Sequence, residues 1–234
     1  QKGLHGWSVD LDIASSYPTH IIINNLSFET FYGKIKGIPE NKLMEYTKNN
    51  KIEEPFYFAR PKNPDKYKVS PIGQIEDEIY IDGKELEKFN KLLEKKLISV
   101  APCGTCFRND INGVFSSVEH DIFNKRQQKK KEMKNINKEL ENLEENSEKK
   151  EKLKIQSSKL DTTQKAMKTI INGAYGACSV PYSRYFLVPL AETIPACGRY
   201  TIKKGEEFVN HFFNSGNWYK DQDVVDLLNS ISTS

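Results

Sequence analysis

Apolar and polar residues alternate near the N-terminus, and the spacing becomes helical soon afterwards. From Trp7 to Ile13 every second residue is apolar, which predicts a β-strand with the carboxylates of Asp10 and Asp12 on its polar side. The run from His20 to Asn25 predicts a short helix, since Pro18 suits the first turn of a helix. We therefore expect a strand, a turn and a helix in succession.

The region that follows is less regular. Residues 31–70 are expected to form loops rather than a helix, because prolines recur from residue 55 to residue 71. Helical spacing of leucine and phenylalanine then predicts a helix from Lys84 to Lys96 with Asp82 as its cap. The turn sequence Asp110-Ile111-Asn112-Gly113 predicts a β-hairpin between Cys106 and Phe115.

A long helical pattern occupies the middle of the chain. Ser116 and Glu119 have the spacing of a capping box, which predicts that a helix begins there. Apolar residues then recur in two series with the spacing of a coiled-coil seam. The first series comprises Met133, Ile136, Leu140 and Leu143, and the second comprises Leu153, Leu160 and Met167.

The two seams can be paired as an antiparallel helical hairpin. The register that places Leu140 opposite Leu153 also places Met133 opposite Leu160. No apolar residue occurs from residue 144 to residue 148, so the turn is expected between Asn146 and Ser147. The hairpin should project as an arm with polar flanks.

Composition and charge restrict the class of protein. The 234 residues are 37% hydrophobic and 11% aromatic, which is too aromatic for a disordered chain. No run approaches the roughly 20 apolar residues of a membrane-spanning helix. The net charge is +3, but the segment from Lys125 to Leu160 contains 12 basic and 7 acidic residues. This segment is expected either to present a basic face to a phosphate-bearing partner or to be a solvated helix surface.

Cysteines and chain ends add two expectations. Cys103 and Cys106 have the spacing of half a zinc site, but Cys178 and Cys197 do not form a second such pair. Reduced thiols are therefore expected rather than zinc ligands. The sequence starts at Gln1 without a signal-peptide pattern, so we expect a piece of a longer chain.

Positive side chains converge at the base of the predicted hairpin. The register places Arg126 opposite Met167 and beside Lys168, while Lys130 lies one turn after Arg126. Asn172 and Tyr175 follow Lys168 at helical spacing. Such a cluster suits a polyanion such as a triphosphate. The alternative is that these long side chains only flank the seam and extend into water.

Three segments, Asp12–Pro18, Asn25–Thr30 and Lys168–Gly176, follow one another along the chain. In this order they resemble motifs of family B DNA polymerases, particularly those of tailed phages and large DNA viruses. Residues Asp12-Ile13-Ala14-Ser15-Ser16-Tyr17-Pro18 resemble the first palm motif, Asp-x-x-Ser-Leu-Tyr-Pro. Residues Asn25-Leu26-Ser27-Phe28-Glu29-Thr30 resemble the Asn-x-Ser-Pro-Glu-Thr that often follows it. Lys168 to Gly176 resembles the fingers motif Lys-x-x-x-Asn-Ser-x-Tyr-Gly, and Phe123 to Arg126 with Lys130 resembles the opposing fingers helix.

The match runs from about Gly3 to about Phe213, and Arg184-Tyr185 and Cys197-Gly198-Arg199 continue it. It departs from the family pattern at three positions, where the usual residues are Leu, Pro and Ser. Those positions are Ser16, Phe28 and Gly173.

The resemblance implies an α+β fold: a partial palm, made of an antiparallel sheet with helices, and a protruding antiparallel two-helix fingers arm. Residues 1–115 would be the first part of the palm, with a variable insert at about 31–102. Residues 116–176 would be the fingers hairpin with its turn near 146–147, and residues 177–234 a truncated second part of the palm. The exonuclease, the third palm motif and the thumb are expected to lie outside this chain.

The resemblance also implies the chemistry of the site. The catalytic residue would be Asp12, which would bind metal together with the backbone carbonyl of Ile13. The complete enzyme would use two Mg²⁺ ions, or Mn²⁺ in their place. Asp221 and Asp223 have the Asp-x-Asp spacing of the third motif and are weak candidates for the second carboxylate. The residues expected to bind the dNTP are Ser15, Ser16, Tyr17, Arg126, Lys130, Lys168, Asn172, Tyr175 and Gly176.

The implied function is template-directed DNA synthesis by a fragment of a viral replicative DNA polymerase that is inactive alone. Its partners would be primer–template DNA, dNTPs, a downstream polymerase segment and a sliding clamp, with no membrane. It would act in the bacterial cytoplasm if the source is a phage, or in the nucleus or a viral factory if it is a eukaryotic virus. Two alternatives are a non-catalytic helical-hairpin interaction module and one chain of a naturally split polymerase.

Overall fold

An antiparallel sheet and a set of helices make up the described part of this computed structural model, which covers residues 12–13, 15–60, 77–143, 148–183, 185–214 and 222. The α+β class expected from the resemblance is confirmed. The chain divides into two compact units, one of residues 15–197 and one of residues 1–14 with 198–234. The predicted strand from Trp7 to Ile13 lies outside the described residues except for Asp12 and Ile13, whose backbone is irregular.

The sheet has five strands in the larger unit. These are β1 (Phe31–Lys36), β2 (Phe56–Arg60), β3 (Asp77–Ile81), β4 (Ile98–Val100) and β5 (Thr105–Arg108). Their spatial order is β3-β2-β1-β5-β4, and every neighbouring pair is antiparallel. The central strand β1 pairs Ile35 with Phe58 of β2 and Lys34 with Thr105 of β5.

The helices of the described residues follow the chain in six segments. They are α1 (Ser16–Ile23), α2 (Glu40–Lys48), α3 (Gly83–Glu94), α4 (Val114–Glu141), α5 (Glu148–Ser179) and α6 (Val188–Asn214). The predicted helices at His20–Asn25 and Lys84–Lys96 correspond to α1 and α3, so both are confirmed within a few residues. Asp82 immediately precedes α3, and its backbone carbonyl accepts the N–H groups of Glu85 and Leu86. No helix in the described ranges is long and apolar enough to cross a bilayer.

The expectation of loops over residues 31–70 was wrong for most of its described part. Phe56 and Phe58 are buried while Tyr57 between them is exposed, which is the alternation of a strand with one side in the core. Proline bounds these elements instead of interrupting them, since Pro55 precedes β2 and Pro39 caps α2. The prolines therefore mark the ends of short elements.

The predicted hairpin between Cys106 and Phe115 was also wrong. The hairpin is formed by β4 and β5, one turn earlier in the chain. Its turn contains Gly104 at a φ of 85°, where an added Cβ would lie 2.4 Å from the carbonyl oxygen of Ile35. Only glycine fits this close approach to β1. Residues 109–113 instead connect β5 to α4.

Helix α4 begins two residues before the predicted capping box. Gly113 is the residue that caps it, so Ser116 and Glu119 lie inside the helix and the predicted cap was wrong. The N–H groups at its start are bound by side chains from far away in sequence. Asn25 Oδ1 accepts the Gly113 N–H at 3.0 Å, and Ser27 Oγ accepts the Phe115 N–H at 3.0 Å. Side chains distant in the sequence therefore satisfy the N–H groups that a local capping residue would otherwise satisfy.

Helices α4 and α5 form the predicted antiparallel hairpin. Lys150 Nζ donates to the Leu143 carbonyl at 3.0 Å, a pair on the predicted register, and Ser157 Oγ donates to Asn137 Oδ1 at 2.7 Å, one residue from it. The register is therefore confirmed. Buried residues of α4 end at Arg126, and those of α5 begin at Gln164. The hairpin is thus anchored at its root, and its outer part buries only a narrow seam.

A hydrophobic cluster fixes the root of the hairpin on the sheet. Cys178 at the end of α5 packs with residues of α1, β5 and α6. Tyr17, Phe115 and Tyr175 pack against this cluster from its edge. The buried members are Ile21, Leu26, Phe107, Cys178, Leu187, Leu190 and Ile194. Because the core joins α1 to α5, side chains at the start of α1 are held beside the root of the hairpin.

Candidate functional site

The start of α1 is held in an unusual backbone conformation. Ser15 has φ 57° and ψ 44°, the left-handed region that non-glycine residues seldom adopt. Its backbone carbonyl accepts the Thr19 N–H at 3.1 Å, which starts the helix. Its side-chain oxygen accepts a hydrogen bond from Arg126 Nη1 at 3.2 Å. Residues 111 positions apart in the sequence therefore meet at this point.

Arg126 is a buried cation whose hydrogen-bond donors are only partly satisfied. The residue is only 7% exposed, and its Nε has no hydrogen-bond partner among the described residues. No carboxylate of the described residues forms an ion pair with Arg126. Burying a guanidinium without a carboxylate costs free energy. Such a group is suited to an anionic ligand that would complete its hydrogen bonds.

Two tyrosines connect α1 with α5. The ring centroids of Tyr17 and Tyr175 lie 4.8 Å apart with an interplanar angle of 59°. Both rings also pack on the hydrophobic cluster, which fixes their positions. The structure thus brings together two pairs of sequence-predicted site residues: Ser15 with Arg126, and Tyr17 with Tyr175. Ser16, half-buried, is the first residue of α1.

The remaining predicted substrate residues lie on exposed surfaces of the hairpin. Lys130 follows Arg126 by one turn of α4, and Lys168 and Asn172 precede Tyr175 on α5. Helical spacing places Lys168, Asn172 and Tyr175 on one side of α5. Among the described residues, none of these three side chains forms a hydrogen bond with Ser15 or Tyr17. They are therefore near the root in sequence and helical position but remain open to solvent.

Gly176, one of the residues expected to bind the dNTP, has open surroundings in the folded chain. A Cβ added there would meet no atom within 4 Å, and the same is true of Gly173. The folded chain therefore has space for a side chain at both positions. A requirement for glycine at position 176 would have to come from a bound molecule rather than from packing.

The predicted metal-binding residues belong to the other compact unit. Asp12 is exposed and Ile13 is half-buried, and both have irregular backbone. Asp221 and Asp223 lie outside the described residues. Within the ranges that the structure describes, no three His, Cys, Asp or Glu side chains form a group able to hold a metal ion.

Glu119 is a buried acid that the sequence did not single out for the site. It is 2% exposed, and its Oε2 has no hydrogen-bond partner in the described structure. Burial raises the pKa of its carboxyl to about 7. Burial and the neighbouring charge of Glu119 together raise the pKa of the Cys178 thiol to about 12. Glu119 has the same phase on α4 as Arg126, seven residues later, but its place in an apparent capping box hid its burial.

Asn25 organises the backbone around the root and was likewise missed as an individual residue. Its Nδ2 donates to the carbonyls of Arg108 and Ile111, both at 2.8 Å. Its Oδ1 accepts from the Gly113 N–H and from Ser116 Oγ at 2.8 Å. One side chain therefore fixes the connection from β5 to α4. The motif that begins at Asn25 has this structural role.

Cys103 and Cys106 occupy polar or buried positions in and beside β5. Cys103 Sγ lies 3.2 Å from Thr105 Oγ1 and 3.3 Å from Thr193 Oγ1. Cys106 is fully buried, and burial raises the pKa of its thiol far above the ordinary value. The contacts of both thiols are with hydroxyl and backbone groups, which fits the reduced state expected from the sequence.

Comparisons with known proteins place the chain in a well-defined context. The family model described as DNA polymerase family B matches residues 2–227. The chain is 33% identical over 98 residues to the DNA polymerase alpha catalytic subunit of Dictyostelium discoideum, over 42% of this chain and 6% of that protein. It is 32% identical over 100 residues to DNA polymerase beta of African swine fever virus, over 43% of this chain and 8% of that protein. The aligned part is therefore less than a tenth of either relative.

Proposed function

Because this chain belongs to DNA polymerase family B, we propose that it supplies the nucleotide-binding part of a site for template-directed DNA synthesis. The reaction is nucleotidyl transfer, in which the primer 3′-hydroxyl attacks the α-phosphate of a dNTP and pyrophosphate leaves. The partners are primer–template DNA and dNTPs. We assign residues 116–176 to the fingers, and residues 1–115 and 177–234 to the palm.

The hydrogen bond between Arg126 and Ser15 is the observation that carries this proposal. It joins the first palm motif to the fingers helix α4 inside one compact unit. The Tyr17–Tyr175 contact joins the same motif to α5. A buried arginine that has no carboxylate partner among the described residues suits the base of a triphosphate site.

The phosphates are the natural ligands of the cations at the root. Arg126, Lys130 and Lys168 neutralise the β- and γ-phosphates, with Arg126 providing paired N–H donors and the lysines providing point charges. Asn172 donates or accepts a hydrogen bond beside the nucleotide. The exposed positions of Lys130 and Lys168 require the hairpin to move toward the palm when the nucleotide binds, a closure that excludes water.

The tyrosines and Gly176 recognise the sugar and the base pair. Tyr17 lies under the deoxyribose, where its ring leaves no room for a 2′-hydroxyl and so selects against ribonucleotides. Tyr175 and Gly176 form a flat floor for the nascent base pair. The open space around Gly176 is consistent with this role, since only a bound base pair would make a side chain there unfavourable.

Asp12 and the Ile13 carbonyl are the proposed metal ligands. Oxygen donors of this kind suit Mg²⁺, and Mn²⁺ accepts the same ligands. When bound, two such ions lower the pKa of the attacking hydroxyl and stabilise the leaving oxygens. One carboxylate is too few for a pair of ions, so a second must come from Asp221, from Asp223, or from a further segment or separate chain. If neither Asp221 nor Asp223 supplies it, the chain alone is expected to be inactive or weakly active.

The wider setting that we propose is a viral replicative polymerase. The relatives include a polymerase of African swine fever virus, and a replicative enzyme would also bind a sliding clamp. Template contacts would be mainly to phosphates and independent of sequence.

Sugar selection by Tyr17 provides the test of the proposed function. The affinities for dATP and ATP are measured by calorimetry for the wild-type chain, Tyr17→Phe and Tyr17→Ala. We expect the wild type and Tyr17→Phe to prefer dATP, because both keep the ring, and Tyr17→Ala to lose most of that preference. Equal binding of the two nucleotides by the wild type would contradict the proposal, and absence of any nucleotide binding would favour a non-catalytic interaction module.

A further inference from the structure

The lysines of the hairpin are distributed unequally between its two sides. Lys130, Lys134 and Lys138 are four residues apart on α4, so they form a row along one flank of the helix. All three side chains are exposed. The row begins at the root and runs toward the turn of the hairpin.

Helix α5 adds lysines to the same side. Taken from the seam residues, Lys154 and Lys168 have the same sense of rotation around α5 as Lys130 and Lys134 have around α4. In an antiparallel pair, flanks with the same sense of rotation lie on the same side of the hairpin. Lys130, Lys134, Lys154 and Lys168 therefore lie on the same side of the hairpin. Lys138, about 40° further around α4 than Lys134, lies at the outer edge of this side. We call the surface of these five lysines the basic flank.

Several lysines elsewhere on the hairpin are neutralised by carboxylates of the protein, whereas Lys159 on the opposite flank has no ion pair among the described residues. Lys129 pairs with Glu132 at 2.9 Å, Lys149 pairs with Glu139 at 2.7 Å, and Lys152 pairs with Glu148 at 2.6 Å. In the part of the hairpin that the structure describes, none of the five lysines of the basic flank has an ion pair. The basic side does contain one pair, Lys165 with Asp161. Most of the lysines without an ion pair in the described hairpin therefore lie on one side of it.

The length of the basic flank indicates which polyanion it fits. Lys154 and Lys168 are separated by about 20 Å along α5, which exceeds the reach of one triphosphate. Successive lysines of α4 are about 6 Å apart, wider than the axial spacing of about 3.4 Å between nucleotides of one duplex strand. An extended single strand can match the wider spacing. Lysine contributes point charges without base recognition, which suits a ligand of any sequence.

We propose that the basic flank binds the phosphates of single-stranded DNA, namely the unpaired template strand. This inference deepens the proposed function and rests on it, since the same hairpin would hold the nucleotide at its root and the template along its side. The flank would thereby keep the template close to the nucleotide site without selecting its sequence.

Salt-dependent binding of oligo(dT) tests the proposal. Fluorescence anisotropy is measured for the full chain and for the triple variant Lys134→Gln, Lys138→Gln, Lys154→Gln, which spares Lys130 and Lys168 at the root. We expect the dissociation constant to rise on the order of tenfold near 0.1 M salt. The slope of log affinity against log salt should fall by about 2, because each phosphate contact to a single strand contributes about 0.7.

A matched variant on the opposite flank controls for net charge. Lys149→Gln, Lys152→Gln, Lys159→Gln removes the same three charges, and it should leave both the affinity and the slope almost unchanged. Circular dichroism verifies that both triple variants keep their helices. Equal losses in the two variants, or no loss in the basic-flank variant, would overturn the proposal. So would a basic-flank variant that loses dATP affinity while oligo(dT) binding stays intact, since the flank would then guide nucleotides.

A separate variant distinguishes this inference from the proposed function. Arg126→Ala should lose dATP binding and keep the oligo(dT) salt slope, because Arg126 lies at the buried root. A chain that binds oligo(dT) through the basic flank but never binds dATP would retain this inference and reject the nucleotide site.

Discussion

Ser15 combines backbone strain with a tertiary hydrogen bond, and the two effects can be separated by substitution. Its left-handed φ of 57° costs an ordinary residue roughly 1 kcal/mol or more, whereas glycine adopts it freely. Ser15→Gly and Ser15→Ala both remove the oxygen that accepts from Arg126. We expect Ser15→Gly to be more stable than Ser15→Ala by about 1 kcal/mol in urea unfolding.

The nucleotide affinities of these variants give the second readout. Both should bind dATP more weakly than the wild type by a similar factor, since each releases the Arg126 guanidinium. A Ser15→Ala protein at least as stable as Ser15→Gly would show that the strain assignment is wrong.

Glu119 predicts a pH dependence of stability with a definite sign. Burial raises the pKa of its carboxyl to about 7 in the folded chain, above the ordinary value of 4.5. Between these two pH values the folded state holds more protons than the unfolded state, so the free energy of unfolding falls as the pH rises. Below about pH 4.5 the carboxyl is neutral in both states and imposes no penalty.

Glu119→Gln removes this titration while keeping a similar shape. We expect the free energy of unfolding of the variant to be about 1–2 kcal/mol higher than that of the wild type at pH 8, and the difference to shrink toward pH 5. Chemical unfolding at both pH values measures it, with Asp121→Asn on the exposed side of α4 as the control. A difference that does not depend on pH would mean that Glu119 has an undetected partner.

Helix α5 contains two glycines with open surroundings, Gly173 and Gly176. Substituting each one separates an effect on the stability of the helix from an effect on substrate binding. Alanine at either position should stabilise the helix by up to about 1 kcal/mol, because glycine is a poor helix former and no atom obstructs the Cβ. Thermal unfolding should therefore show a gain for both Gly173→Ala and Gly176→Ala. Only Gly176→Ala should weaken binding of primer–template with the matching dNTP, since the proposed floor of the base pair requires glycine there. Equal binding by both variants would remove Gly176 from the site.

The hairpin was predictable from the sequence and the sheet was not, for physical reasons. The seam of α4 and α5 repeats over several turns, so its register follows from local spacing; the Lys150–Leu143 hydrogen bond lies on that register and the Ser157–Asn137 hydrogen bond lies within one residue of it. Strands β1 and β2 are short and acquire their partners through long-range pairing. The start of α4 depends on Asn25 and Ser27, which lie about 90 residues earlier. No local signal could place that start.

At the site, motif spacing located residues but not their surroundings. The sequence selected Ser15, Tyr17, Arg126 and Tyr175, and the structure brings these residues together in pairs. The sequence pattern did not indicate that Arg126 is buried or that Glu119 is buried beside Cys178, because burial depends on how α1, α4 and α5 pack. The roles of all these residues in catalysis stay predictions.

Over the whole molecule, the proposed nucleotide-binding and metal-binding groups belong to different compact units. The cations are in residues 15–197, whereas Asp12 is in the unit of residues 1–14 and 198–234. We therefore expect nucleotide binding and chemistry to be separable. Asp12→Asn should abolish primer extension in a reaction that includes the segment supplying the second carboxylate, and it should leave most of the dATP affinity. Extension by the Asp12→Asn protein at the wild-type rate would exclude Asp12 as a catalytic residue.

Calorimetric titration of dATP with magnesium into the chain tests the central claim most directly, namely that the start of α1 and the root of the hairpin form a triphosphate site. The account predicts measurable binding by the wild type, a loss on the order of tenfold or more for Arg126→Ala and for Lys168→Ala, and no change for Lys159→Ala on the opposite flank. Indistinguishable affinities for Arg126→Ala and Lys159→Ala would contradict it.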